Sequence, residues 1–346
     1  MSLPTQSVAG TTVSTLGFGA GPIGGFRGPV SEAEARDALA AYWTHGGRYI
    51  DTSPLYGYGC SELRVGAFVR EHAGATVSTK IGRVLRPQRP GDDLSTLRRG
   101  GLPFWPQFDY SYDGAMRSLE QSCLRTGLTR FDIVLVHDLE PQAHGADYAR
   151  MFDTCMNGAW RALRELRDAG DIRAIGVGVN DTAAARAVVL AGGCDVVMLA
   201  GQYSLLDHGA DVLDFFDQCQ QRQIGVLAAG VFNSGILATG TGSSASYGYR
   251  PAPADIVARV AAIEAVCRRF DVALPAAAIQ FVQAHPVVRS VVLGSASATN
   301  VVDNMAHASR AIPIAFWQAL VQQDLLPANL LPSHPSSLAR HAHAHR

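Results

Sequence analysis

Three strand-like runs of this chain end in an ionisable residue. RYIDT carries Asp51, VSTK ends on Lys80, IVLVH ends on His137, and Tyr56 follows Asp51 in the turn DTSPLYGYG. A tyrosine hydroxyl has a pKa near ~10, too high for efficient proton transfer near neutral pH. A nearby lysine favours the phenolate and pulls that value down. An aspartate holds the lysine charged and oriented, and a histidine beside the phenol positions a substrate oxygen and shares the proton. Taken singly, Asp51 reads as a loop cap, Tyr56 as a packed aromatic and His137 as a loop histidine. Lys80 resists such a reading, because an ammonium next to a buried strand needs a counter-ion, and Asp51 can supply it. The set suits proton transfer at a carbon–oxygen bond. It offers no activated nucleophile and no metal-ligand spacing.

Bringing these residues together requires neighbouring strands. Eight short apolar runs are predicted as strands, at 14–20, 48–52, 75–80, 131–137, 172–179, 195–199, 224–229 and 288–293. They are continuously apolar rather than alternating, which marks parallel strands covered by helices. Between them lie amphipathic stretches such as SELRVGAFVREH, DGAMRSLEQSCLRTG and DTAAARAVVLAGG, with further helices near 254–270 and 275–284. Ser31 and Glu34 form a capping-box signature, and Gly46-Gly47 ends the helix they open. This alternation predicts an α/β fold, a closed (β/α)8 TIM barrel over residues 1–330, with chemistry at the carboxyl ends of its strands. A doubly wound sheet is the alternative. LGFGAGPIGG only loosely matches its dinucleotide fingerprint, since GFRGPV and no helix follows.

Two segments read as irregular: a long loop at 81–110, rich in proline, arginine and aromatics, and a flexible tail at 331–346 whose histidines read as a solvated end. The net charge of −1 argues against a nucleic-acid partner or an anionic membrane bound through a basic surface. The six cysteines are scattered without a C-x-x-C pair, as expected of reduced thiols. No window approaches the length of a membrane helix, and the first twenty residues lack a secretory pattern, so a cytoplasmic protein is expected. Oligomeric state is left open.

With Asp51, Tyr56, Lys80 and His137 in this order, the chain resembles the aldo-keto reductases. LGFGA, YIDTSPLYGYGCSE, STKIGR, FDYSYDGAMRSLEQSCLRTGLTRFDIVLVHD, LRELRDAGDIRAIGVGVN and GVFNSGIL carry the likeness over roughly residues 10 to 310. Within the family these words look most like the aldose 1-dehydrogenase branch (L-fucose, D-threo-aldose and L-galactose dehydrogenases) and the pyridoxal 4-dehydrogenases. The resemblance implies a nicotinamide cofactor bound across the barrel mouth without a Rossmann fold. It implies Tyr56 as general acid or base, tuned by Lys80 and Asp51, with His137 orienting the reacting oxygen. The implied reaction is oxidation of an anomeric hydroxyl to a lactone; pyridoxal would react through its hemiacetal. An NADPH-dependent aldehyde reductase is the alternative within the family, and a non-catalytic cofactor-binding subunit the alternative outside enzymology.

The resemblance also designates cofactor residues. Asn180 is the candidate for the carboxamide. Ala200 stands where the family commonly has a glutamine, and Gln202 follows. Phe232, Asn233, Ser234 and Gly235 would approach the pyrophosphate, and Gly294, Ser295, Ser297, Asn300 and Asn304 the adenosine. Many relatives place a cation just after the glycine, where it meets a 2′-phosphate; here Ser295, Ala296 and Ser297 follow Gly294. The loss of such a charge-assisted contact, about 1.5–3 kcal/mol, favours NAD over NADP. Phe104 and Trp105 are candidates to cover the substrate. No metal is expected.

Overall fold

The computed structural model describes residues 3–25, 28–92, 100–242 and 245–332. Eight parallel strands close on themselves: β1 (Leu16–Gly19), β2 (Tyr49–Asp51), β3 (Thr76–Ile81), β4 (Ile133–His137), β5 (Ala174–Val179), β6 (Val196–Ala200), β7 (Gly225–Ala229) and β8 (Val288–Gly294). Each pairs with its sequence neighbours, and β8 pairs with β1 to shut the barrel. Eight helices cover it: α1 (Glu32–Thr44), α2 (Cys60–Glu71), α3 (Tyr112–Thr126), α4 (Ala159–Asp168), α5 (Thr182–Ala191), α6 (Ala210–Gln221), α7 (Leu274–Gln283) and α8 (Ala298–Ser309). Extra helices at Tyr148–Asn157, Ala254–Phe270 and Ile314–Gln322 lie outside this alternation. All eight predicted strands are present, and so is the Ser31–Glu34 capping box that opens α1.

Side chains alternate between the two faces of a strand. Ile50, Val77, Val134, Val136, Ile175 and Val177 point outward into the apolar layer shared with the helices. Tyr49, Ile133, Leu135, Ala174, Val196, Met198, Leu227 and Val292 fill the barrel itself. Beneath them an antiparallel hairpin, Thr5–Val8 paired with Thr11–Ser14, plugs the amino-terminal end with Val8 and Val13. Full burial of a valine contributes about 1.5–3 kcal/mol, so the two plugs help to dock the hairpin.

The segment expected to be a loop at 81–110 is corrected in part. Arg83–Pro87 and Phe104–Phe108 pair antiparallel in a second hairpin projecting beyond β3. Its strands carry two prolines and mixed polarity, so neither the parallel-strand pattern nor clean alternation marked them. Residues 93–99 lie outside the described residues, as does the expected tail from 333 onward. Among the described residues no helix is long and apolar enough to cross a membrane.

Candidate active site

The period-two rule turns the strand-end residues inward. Asp51 shares a face with Tyr49, Lys80 with Ser78, and His137 with Ile133 and Leu135. Register places Asp51 beside Ser78, and Lys80 beside Leu135 two residues before His137. All three emerge at the carboxyl-terminal mouth. Tyr56 arrives from the β2–α2 loop, which packs against the segment after β1 with no room to spare. A Cβ at Gly57, whose φ is +63°, would stand 1.8 Å from the Gly24 carbonyl oxygen. That contact fixes the loop and the phenol it carries.

Lys80 Nζ donates to Asp51 Oδ2 at 2.6 Å and to the Thr52 carbonyl at 3.0 Å. Asp51 Oδ1 accepts from Ser78 Oγ at 2.7 Å, and Tyr49 OH meets the same serine at 3.0 Å. The Asp51 and Lys80 side chains are each 2% exposed, a burial that demands this complete pairing. The ammonium lies 4.6 Å from the centre of the Tyr56 ring, whose plane is perpendicular to the His137 ring, 5.9 Å away.

Burial works against the Lys80 charge, but Asp51 and Tyr56 outweigh it and hold the ammonium above its ordinary range. For Tyr56 the expectation of a lowered pKa is corrected. Burial lifts the phenol above its ordinary value, and Lys80 pulls it back without cancelling that effect. Burial pushes His137 down to about 3, against the opposing pull of Asp138, so the imidazole is neutral.

Ser53 settles its tautomer. The Leu55 N–H donates to Ser53 Oγ at 3.1 Å, and the same oxygen meets His137 Nδ1 at 3.1 Å. Ser53 is fully buried, and among the described residues Nδ1 is the acceptor its hydroxyl hydrogen reaches. A buried hydroxyl without an acceptor costs about 1–3 kcal/mol, so Ser53 donates and the ring proton resides on Nε2. Ser53→Ala is expected to lower kcat about tenfold with little change in KM, because the wrong tautomer then competes. A drop in KM-controlled binding alone, measured by initial rates, would contradict this.

Sequence reasoning passed over Ser53, Ser78, Arg83, Asp138 and Glu140. Ser78 shares the inward face of Lys80 and was legible by that spacing. Arg83 reaches back from the hairpin to Asp138 at 2.7 Å. Phe108, rather than Phe104 or Trp105, stacks on its guanidinium at 4.0 Å. Phe104 and Trp105 pair with Pro87 and Arg86 in the outer half of the hairpin. Glu140 is buried and accepts from the Asn180 N–H at 2.5 Å and its Nδ2 at 2.8 Å. That leaves Asn180 Oδ1 facing away from the carboxylate.

The other designated residues lie along the remaining arc, after β5 to β8. Gln202 Oε1 accepts from the Thr182 hydroxyl at 3.3 Å and lines a cavity of about 450 Å³ with His208 and Arg259. Asn233 and Ser234 are left-handed, with φ of 47° and 63°, and Gly235 follows at 116°. Asn233 is buried, however, and its Nδ2 is bound to Asp207, which Tyr247 also engages. Its side chain therefore braces the loop, while Asn233 Oδ1 is buried without a partner among the described residues. Ser234 Oγ accepts from the Tyr249 N–H. Half-buried Phe232 precedes them. Ser297 caps α8 through the Asn300 N–H, and Ser295 bonds within the same turn. Gly294 is exposed, and Asn300 and Asn304 lie one turn apart on α8. Among the described residues no cluster of three or more His, Cys, Asp or Glu side chains is placed to hold a metal.

A closed eight-stranded barrel with a buried lysine–aspartate pair beneath a tyrosine and a neutral histidine defines an oxidoreductase class. Residues 15–324 match the model of the Aldo/keto reductase family, and the chain belongs to that family. It is 38% identical to a pyridoxal 4-dehydrogenase of Microbacterium luteolum over 92% of this chain and 96% of that protein. It is 36% identical to a D-threo-aldose 1-dehydrogenase of a Pseudomonas species, over 94% and 98% of the two chains. An aldo-keto reductase from Bacillus halodurans, solved in its holo form, superposes with a TM-score of 0.72 at 20% identity, covering 94% of this chain and 97% of that one. This chain is accordingly an oxidoreductase of a family that uses nicotinamide cofactors.

Proposed function

We propose that this enzyme oxidises the anomeric hydroxyl of an aldose, of the L-fucose, D-arabinose or L-galactose type, to a lactone with NAD. The observation that carries the proposal is the buried Asp51–Lys80 pair set against Tyr56, with neutral His137 beside it. Tyr56 Oη takes the proton of the reacting hydroxyl, and Lys80 compensates the negative charge that forms on the phenol. His137 Nε2–H donates to the same substrate oxygen and holds it as the carbon–oxygen double bond forms. A bound nicotinamide supplies the acceptor for the hydride that leaves the carbon. Asn180 and Gln202 would hold its carboxamide, the backbone of 232–235 its pyrophosphate, and Gly294, Ser295, Ser297, Asn300 and Asn304 its adenosine.

The donor set fits such a group. These segments offer amides, hydroxyls and backbone N–H groups. Residues 294–304, GSASATNVVDN, contain no lysine or arginine, which suits a ribose hydroxyl better than a 2′-phosphate. The same absence disfavours an NADPH-dependent aldehyde reductase. Pyridoxal is the second reading, favoured by the 38% identity to a pyridoxal 4-dehydrogenase. We also place the enzyme in the cytoplasm, in keeping with its six free thiols.

A spectrophotometric screen for reduced cofactor over L-fucose, D-arabinose, L- and D-galactose and pyridoxal tests the reading. Activity with an aldose and NAD is expected to exceed activity with NADP by at least about tenfold. Turnover of pyridoxal alone would replace the aldose, and a preference for NADP would overturn the cofactor.

A further inference from the structure

Asp138 follows His137 directly, with a left-handed φ of 51° that an aspartate adopts only at some cost. Three contacts hold it there. Its N–H donates to the Gly178 carbonyl at 2.9 Å, and its own carbonyl meets His144 Nε2 at 3.0 Å. Oδ2 accepts from Arg83 at 2.7 Å, and Oδ1 stands 3.4 Å from His137 Nε2. Phe108 covers the guanidinium from its other side. The carboxylate side chain is 17% exposed, and among the described residues Oδ1 accepts no hydrogen bond. A fixed, largely desolvated acceptor thus keeps one open valence beside the nitrogen that holds the reacting oxygen.

We propose that Asp138 is the specificity-determining residue for a hydroxyl on the carbon adjacent to the reacting one, so that the site selects aldoses bearing a free C2 hydroxyl. The inference rests on the proposed aldose reading. In a gauche 1,2-diol the two oxygens are separated by about one hydrogen-bond length. With the anomeric oxygen on His137 Nε2, the C2 hydroxyl therefore comes within reach of Oδ1. The ring oxygen, on the other side of the anomeric carbon, has no hydrogen to give and is repelled by a carboxylate. The sugar consequently presents its C2 side, and not its ring-oxygen side, to β4. Arg83 offsets the charge, so the pair recruits a neutral donor rather than a cation. A phenolate beside the reacting carbon, as in pyridoxal, is disfavoured by the same oxygen.

The test is the ratio of kcat/KM between an aldose and its 2-deoxy counterpart, for example D-arabinose and 2-deoxy-D-ribose, with NAD. Wild-type enzyme is expected to favour the C2 hydroxyl by roughly 10- to 100-fold, the range of one charge-assisted hydrogen bond. In Asp138→Asn that ratio should contract about tenfold. Because Asp138→Asn strands the buried Arg83 charge, the combined variant Asp138→Asn with Arg83→Gln is measured alongside, and the wild-type ratio needs no variant at all. Intrinsic reactivity of the two sugars cancels when variant and wild-type ratios are compared, and the wild-type ratio is read relative to the uncatalysed oxidation of the same two sugars. A wild-type ratio near one, or an unchanged ratio in both variants, overturns the inference and leaves the aldose reading standing. No reduced cofactor from any aldose, deoxygenated or not, overturns the aldose reading and this inference with it.

Discussion

Tyr56→Phe is expected to lower kcat by roughly 100- to 10,000-fold, the range spanned by general acid–base groups. Cofactor binding should persist, as read from quenching of reduced-cofactor fluorescence. Phenylalanine keeps the ring that packs against Lys80 and lies perpendicular to His137, so the change removes the hydroxyl and little else. Lys80 retains Asp51 and the Thr52 carbonyl as partners, which guards the fold. Near-normal turnover in this variant would sink the proton-carrier assignment.

Lys80→Met should impair stability and pH dependence together. Removing one member of a buried pair strands Asp51, and such losses cost about 3–5 kcal/mol, read as a lower denaturant midpoint. In the wild type the ammonium is held above its ordinary value of 10.5. The stability drawn from the raised Lys80 pKa is therefore complete at neutral pH and is lost as pH rises through the elevated value in the alkaline range. The catalytic profile moves for a different reason. Oxidation needs the deprotonated phenol, whose pKa burial has raised and Lys80 has partly restored. Activity should climb with pH without levelling off in the neutral range, and Lys80→Met should displace that climb further towards alkaline pH. A profile of kcat/KM against pH that stays in place, or moves towards acid, would show that Lys80 does not tune Tyr56.

The barrel was legible because runs such as FDIVLVH and IRAIGVGV are continuously apolar, as parallel strands buried on both faces are, and because eight of them alternate with helical stretches. The hairpin at Thr5–Val8 and Thr11–Ser14 escaped because its polar residues alternate over too few positions to outweigh ordinary loop composition. Asp51, Lys80 and His137 were legible from position, since strand ends in a barrel share one rim. Ser53 was not, because a serine after Asp-Thr and before Pro reads as turn chemistry until His137, from a distant strand, is placed against it. Asn233 shows the converse. Its loop was recognised, but Asp207 claims its amide, and a partner that far back in the chain leaves no local trace.

The arrangement of the mouth in two arcs has a consequence for descent. The proposed proton-handling residues belong to β2, β3 and β4 and the loop between the first two, whereas the candidate nucleotide contacts follow β5 to β8. Mutations that retune the nucleotide arc need not pass through the other, so heritable change can try new dinucleotides while the acid–base arc is inherited intact. Lineages built on this plan are expected to diverge first in which coenzyme they take, and last in how the proton leaves.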